Sequence, residues 1–444
     1  MTRKFMTIPM VAAALGLSAG AVWAAEPTTS ELMQQIQQLQ TKVQQLETKQ
    51  EALASKDVDD TVSQVLQDAD KRSQLLQMEG FTAGWQKGKG FRIQDAQGNF
   101  VLHPFFQFDY RFTTNYRDDG KHAGNDSDWE SGFEVRRLKL GFDGTAFTPD
   151  LYYYFRWNNT STGGAGATLT LEEAWVRYFF SDDWAVRAGQ ITNPAIREQN
   201  VSSSRLLTVE RSLANQLVTG ANQAYTQAVS LIYSPKEGPI TAEFGYGDGF
   251  NSVNTDFTDP NAGGTTDWDV FGRVNWFVQG DRKEADDFSA LDNKSDLLLA
   301  GLGMDITQTG DLTNYLHTVD VQWENTNGLS LFAAYLGNYI DDKGANDTNY
   351  NWGGIVQAGY MLNTQWEVFG QYDFTKLDTA PAGIHDTYHE ITAGVNYYIY
   401  GQAAKITIDA SYLPNGSPVT VEGLGVLAGQ ESQIRIRAQF QLLL

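Results

Sequence analysis

The chain has 444 residues, no cysteine and a formal charge of −22, which excludes disulfides, thiolate metal sites and cysteine catalysis and argues against nucleic acid as a partner. Aromatic residues make up 12% of it beside abundant Gly, Asn and Asp, a mixture suited to many short strands and polar turns. After residue 24 no apolar run reaches the roughly 18 to 20 residues of a transmembrane helix, so any place in a membrane must come from strands.

The first element in chain order is a leader. Arg3 and Lys4 precede an apolar run from Met6 to Leu17, and Val22-Trp23-Ala24 offers a small-residue cleavage site, so residues 1–24 read as a secretory signal peptide. Its removal takes the charge from −22 to −24 as Arg3 and Lys4 leave. The spacing then predicts a helix within 25–79. Leu32, Ile36, Leu39, Val43, Leu46 and Leu53 follow four-three steps, with Gln50 in the one slot missed. This short heptad pattern in a Gln-rich segment points to a coiled coil, with a lone amphipathic helix as the alternative. β-Branched residues at a and leucine at d favour two strands. Asp57, Asp59 and Asp60 weaken the repeat, and a second apolar series (Val58, Val62, Val65, Ala69) shifts register before Gly80. Residues 80–102 read as a linker.

From residue 103 the pattern changes to apolar–polar alternation, as in Phe106, Phe108, Tyr110 and Phe112, or Leu151, Tyr153, Phe155 and Trp157. Sixteen such segments are present, an even number, as in bacterial outer-membrane barrels. Short links (145–150, 181–183, 234–239, 325–328, 363, 401–403) take turns with long polar ones (113–132, 158–168, 192–226, 248–267, 341–349, 378–386, 415–430). Periplasmic turns and long external loops have this layout; the acidic link 279–295, long on the short side, departs from it. A soluble sandwich or β-helix would place Val, Ile and Leu on its apolar face, whereas Tyr, Trp and Phe near strand ends suit the aromatic girdles of a lipid interface. The expected fold is all-β: a sixteen-stranded antiparallel transmembrane barrel over 103–444, preceded by a short coiled-coil helix.

In FEVRRLKLGFDG (133–144) the outward residues are Phe133 and Val135, then Leu138, Leu140 and Phe142, so the parity switches once, between Arg136 and Arg137. A β-bulge there lets both arginines avoid lipid, where each would cost about 2–4 kcal/mol near the midplane. Lys139 then points inward, and the same parity sends Arg111, Arg156, Arg177, Arg187, Arg273, Lys405, Arg435 and Arg437 to the lumen. Closure of the barrel brings Arg435 and Arg437 beside the strands of Arg111, Arg136 and Arg156, a continuous basic wall. Residues 296–403 hold only Lys343 and Lys376 against thirteen acids, among them Asp320, Glu324, Glu367, Asp373 and Glu390 with inward parity. A lumen basic on one side and acidic on the other is predicted. Such arginines either draw anions through low-dielectric walls or merely neutralise neighbours such as Glu134, Glu172 and Glu173.

FEVRRLKLGFDG, LEEAWVRYFF (171–180) and RAGQITNPAIREQNVSSSRLLTVERS (187–212) resemble the phosphate-selective porin family, the O/P porins, most clearly over 103–250. The resemblance implies a trimeric sixteen-stranded barrel whose ladder of arginines leads to a constriction formed partly by an inward-folded third loop. It makes 192–226 that loop, places Arg197, Arg205 and Arg211 at or near the constriction, and makes Arg136, Arg137, Arg156, Arg177 and Arg187 candidates for the ladder. Two departures stand out. The family's phosphate-binding proteins also place lysines at the narrow point, and 140–235 contains none; the chain ends in Leu444 where such strands usually finish with an aromatic residue.

His385 and His389 fall in a loop and a strand start, where their spacing does not put them on one face, and Asp118, Asp119, Asp126 and Asp128 form an acidic loop whose carboxylates suit Ca²⁺ but which reads, as a surface loop beside lipopolysaccharide, as solvated. GxSxG, Walker and HExxH motifs are lacking, so no catalytic residue, metal or cofactor is expected. The expected function is passive uptake of small anions, phosphate or related oxyanions, through a bacterial outer membrane. The alternatives are a general or sugar-admitting porin, and a structural tether reaching the cell wall through residues 30–79. Expected partners are outer-membrane lipid and lipopolysaccharide, the permeant anions and two further copies in a homotrimer, with the N-terminal arm in the periplasm.

Overall fold

The computed structural model describes residues 30, 33, 34, 36–48, 63, 67, 80–86, 90–117, 128–160, 168–252, 266–380 and 384–444. The leader, the second apolar series of the arm and Asp118, Asp119 and Asp126 lie outside the described residues. The chain divides into two units, Met1–Glu79 and Gly80–Leu444. In the first, residues 36–48 form helix α1, and its heptad stripe is bare: Ile36, Leu39, Val43 and Leu46 are 51–63% exposed.

The second unit opens with a hairpin, β1 (Phe81–Gln86) against β2 (Gly90–Asp95), in the stretch read as a linker. Sixteen strands follow: β3 (Val101–Arg117), β4 (Trp129–Ala146), β5 (Thr148–Thr160), β6 (Thr168–Phe179), β7 (Trp184–Thr192), β8 (Tyr225–Tyr233), β9 (Ile240–Gly247) and β10 (Trp268–Gln279) make the first half. The second half is β11 (Leu297–Thr309), β12 (Leu312–Glu324), β13 (Leu329–Asp342), β14 (Asp347–Met361), β15 (Trp366–Lys376), β16 (Thr387–Tyr400), β17 (Ala404–Leu413) and β18 (Gln433–Leu443). Each pairs antiparallel with the next, and β18 closes on β3 with Gln439 opposite Arg111. Closure leaves no sheet edge, which a wall facing lipid requires.

The burial pattern is inverted relative to a soluble protein. Asp109 and Arg111 are fully buried and Arg435 and Arg437 are 1% exposed, whereas Phe133, Tyr246 and Val356 are 57–68% exposed. A sandwich would bury those apolar side chains; here they form the outer face of the closed sheet, the pattern of an outer-membrane barrel. The register slips where the arginine doublet requires it: Asp109 faces Arg137 and Tyr110 faces Val135, which leaves Arg136 as the extra residue.

The alternation of links holds with one addition. The β11–β12 link, residues 310–311, is a tight turn on the side of the long loops, where no link was read from the sequence. The exceptional link, 280–296, does not hang free. It makes a 3-10 turn (Arg282–Asp286) and buries Phe288 to 2% exposure, its ring 4.5 Å from that of Phe332.

The third loop folds into the barrel. It carries α2 (Arg197–Asn200) and α3 (Leu213–Thr219); Ser212 caps α3 by accepting the Asn215 N–H at 3.1 Å, and Gly220 ends it with φ of 73°. Leu207, Ala214 and Val218 pack with Phe288 and with Phe332, Leu336, Ile355 and Phe369 of the far wall. Each large side chain buried this way contributes about 1.5–3 kcal/mol. These lumen-facing apolar residues break the simple parity of apolar outside and polar inside, because the seat of a loop is itself a core.

Candidate solute pathway

Glu210, 1% exposed on the third loop, is the centre of the basic wall. Its Oε2 accepts from Arg111 Nη2 at 3.0 Å and Arg136 Nε at 3.2 Å, and its Oε1 from Arg137 Nη2 and from Asn222 Nδ2 at 3.1 Å. Burial alone would raise its pKa; Arg137, Arg136, Arg111 and Arg211 outweigh it and hold the carboxyl well below the usual carboxylate range. Asp109 also takes Arg137 at 3.4 Å, and Glu134 lies 3.6 Å from Arg111.

Several of the predicted arginines hold loops. Arg111 donates to Gly423 O at 2.7 Å, Arg435 to Leu424 O at 2.9 Å and Arg437 to Leu424 O at 3.2 Å, all on the last long loop. Arg435 also pairs with Glu390, and Arg437 with Asp409 at 2.7 Å. Arg211 is stitched to the carbonyls of Glu198, Gln199 and Val201 at 2.8–3.2 Å. Arg197 bonds Gln322 Oε1 at 2.8 Å and Ala285 O, and Arg205 lies 3.4 Å from Asp286, so both tie the third loop to link 280–296.

Farther along the same wall Lys139 and Arg156 each lie 2.8 Å from Glu172, and Arg156 lies 3.0 Å from Glu173. The acid doublet shows what the sequence reading missed. Arg156 faces Glu173 while Trp157 faces Leu171, so Glu172 is a second bulged residue, and both acids reach the lumen. The signal was present: Leu169 and Leu171 against Val176 and Tyr178 switch parity around a charged pair, as around Arg136 and Arg137.

Beyond them Arg177 faces Arg187 directly across β6 and β7. Arg187 pairs with Glu243 at 2.5 Å; Arg177 lies among Tyr152, Trp175 and Phe179, its guanidinium carbon 4.9–5.8 Å from their ring centroids. Of the predicted residues, Arg111, Arg137, Lys139, Arg211, Arg435 and Arg437 are buried, and Arg136, Arg156, Arg177, Arg187, Arg197 and Arg205 are partly open.

The acidic half lies where parity put it, and it serves as the bed of the third loop. Asp409 accepts from Val209 N at 3.0 Å, Asp373 from Ala214 N at 3.1 Å and Glu390 from Leu213 N at 3.3 Å. Asp320 pairs with Arg273 at 2.7 Å, and Glu367 accepts from Ser289 Oγ at 2.7 Å. Asp320, Glu324, Glu367, Asp373 and Glu390 are all 2% exposed or less.

A closed sixteen-stranded barrel with an apolar exterior, a charged lumen and an inward-folded loop defines an outer-membrane porin. Within that class, residues 106–271 match the family model described as phosphate-selective porin O and P, so the likeness to that family holds over this stretch. The anion-selective porin from Comamonas acidovorans superposes with a TM-score of 0.56 at 16% identity, covering 77% of this chain and 99% of that one. OmpF of Salmonella typhi, in complex with daunomycin, gives 0.52 at 12% identity over 78% and 98% of the two chains. OmpT, an outer membrane protein of Vibrio cholerae, gives 0.51 at 12% over 77% and 97%. At these identities the likeness is one of fold. No curated protein matches the chain.

Proposed function

We propose that this porin passes small anions, with phosphate and related oxyanions as the class favoured by the family likeness. The carrying observation is one of exposure. The five inward acids opposite the ladder are at most 2% exposed beneath the third loop and link 280–296, while Arg136, Arg156, Arg177 and Arg187 on four adjacent strands remain partly open. On the ladder's own wall Glu134, Glu172 and Glu243 are about as open as the arginines they lie against, or more so, so the support for anions is the burial of the opposite acids together with Arg177, which has no ion pair among the described residues; low-dielectric walls strengthen that field. Diffusion through such a passage calls for neither catalytic residue nor cofactor.

A second reading, a general porin, draws on the ion pairs: Arg156 with Glu172 and Glu173, and Arg187 with Glu243. Reversal potential in a planar bilayer under a KCl gradient, followed by phosphate titration, decides between them. Anion selectivity with block by phosphate supports the arginine pathway; cation selectivity without block gives the general porin.

The proposal extends to assembly. His317 Nε2 bonds Tyr350 Oη at 2.9 Å and His389 Nδ1 bonds Tyr372 Oη at 2.9 Å, all on positions that face away from the lumen, beside the small residues Ala333 and Gly354. Polar rings are costly against lipid and small residues permit close approach, which supports this outer face as the contact between copies in a homotrimer. The bare stripe of α1 supports an arm that pairs with other arms in the periplasm, where 30–79 could also touch the cell wall. Deleting residues 26–79 tests it: loss of trimer implies an assembly role, and envelope defects with normal current imply a tether.

A further inference from the structure

The lumen wall beyond the acid doublet carries aromatic rings that a path for inorganic ions does not use. Phe105 of β3, Tyr154 of β5 and Trp175 of β6 form one stack, with centroids 5.4 Å and 5.2 Å apart and planes inclined by 24° and 15°. Tyr152 and Phe179 flank it on the same face. The backbone makes room for the stack: at Gly141 a Cβ would meet the Phe105 ring at 2.3 Å. All five rings are only partly buried.

The charge beside the rings is uncompensated. Arg177 and Arg187 stand directly opposite each other, an arrangement that repels, and Glu243, the nearby acid they face, is paired with Arg187 at 2.5 Å and also accepts from Ser230. Asp143, the other nearby acid, is engaged by His103 at 2.5 Å and by the Tyr152 hydroxyl. Arg177 has no ion pair or hydrogen bond among the described residues, and its buried Nε and the buried Trp175 Nε1 have no partner. A guanidinium with no acid partner among the described residues thus lies against half-open rings, one of them an indole whose N–H is unpartnered.

We propose that Arg177, Trp175, Tyr152 and Tyr154 form a binding subsite for organic anions with a flat ring, aryl carboxylates as a class. The carboxylate takes the planar fork of Arg177, and the ring adds to the aromatic wall. An inorganic oxyanion would meet the charge but leave the rings bare, and a neutral sugar would leave the guanidinium unpaired. This inference deepens the anion-channel reading and rests on it for access of the solute to the lumen.

The test uses the purified full chain in planar bilayers, with benzoate, cyclohexanecarboxylate and phosphate as probes. Benzoate is expected to interrupt the current saturably at a concentration about tenfold below that of cyclohexanecarboxylate, which has the same charge without the flat face. Arg177→Gln and Trp175→Leu are each expected to raise the half-blocking benzoate concentration about tenfold or more. Channel insertion reports that a variant folded, and Arg177→Lys, which keeps the charge but loses the fork, serves if the glutamine variant does not insert. Equal block by the two carboxylates, or block unchanged in the variants, overturns the subsite. Anion selectivity without benzoate block overturns the subsite and spares the anion channel. Cation selectivity with a benzoate block that Arg177→Gln abolishes supports the subsite and overturns the anion channel.

Discussion

The lumen uses arginine in two ways, and the regions around Glu210 and Arg177 show the contrast. At Glu210 three guanidinium groups close on one buried carboxylate brought by the third loop. At Arg177 two guanidinium groups stand among half-open rings beside one wall carboxylate, Glu243, which pairs with Arg187 and leaves Arg177 without an acid partner among the described residues. The first arrangement is a clamp, because removing the shared acid would strand buried charges. The second is a surface, because its charge can still be answered by something that diffuses in. Residue type and strand parity are the same in both; burial by a loop decides the role.

The sharpest way to break the contrast is Glu210→Gln. It removes the carboxylate shared by the buried Arg111 and Arg137 and leaves them only the longer ion pairs with Glu134 and Asp109, a loss of about 3 kcal/mol. A lower unfolding midpoint and noisier, larger conductance are expected from denaturant titration and bilayer recordings; unchanged midpoint and current would show that the loop does not depend on this cluster. Phe288→Ala should cost a comparable amount, about 3 kcal/mol, by opening a void between link 280–296 and the third loop. Faster proteolysis within that link would register it.

Acid should separate the two ends of the loop seat. Glu210 has a depressed pKa, so its stabilisation is present above the ordinary carboxylate value and is lost only when the pH falls well below it. Asp287, in link 280–296 and outside the strands, is pushed up to about 6 by burial. A raised acid pKa has the opposite sign: stability is greatest with the group protonated and declines as pH rises through about 6. Hydrogen exchange should therefore slow in 280–296 between pH 7 and about 5, while the protection around Glu210 stays constant. The smallest effect belongs to Arg205→Gln. Its side chain is 40% exposed and its partner Asp286 63%, so stability should change by less than about 1 kcal/mol. Reversal potential would still register a lost open charge, and a large fall in stability would place Arg205 with the clamps.

The sequence by itself determined that sixteen strands build the barrel and which face most of their charged residues take, since side-chain direction in a strand is a local property with period two; the β1–β2 hairpin and the 310–311 turn carry no such signal. It also located the bulge at Arg136 and Arg137, where two adjacent charges and a parity switch admit no other register, and the same rule would have found Glu172 and Glu173. Only the tertiary structure decided which inward charges meet solute. Glu210 meets Arg111, Arg136 and Arg137 from a loop about 70 to 100 residues away in the chain, Phe288 of the link between β10 and β11 reaches Phe332 of β13, and the acids of β12 to β16 vanish beneath the loop they seat. Those contacts depend on closure of the sheet and on packing inside it, and no periodicity within a single strand encodes the distance across a barrel.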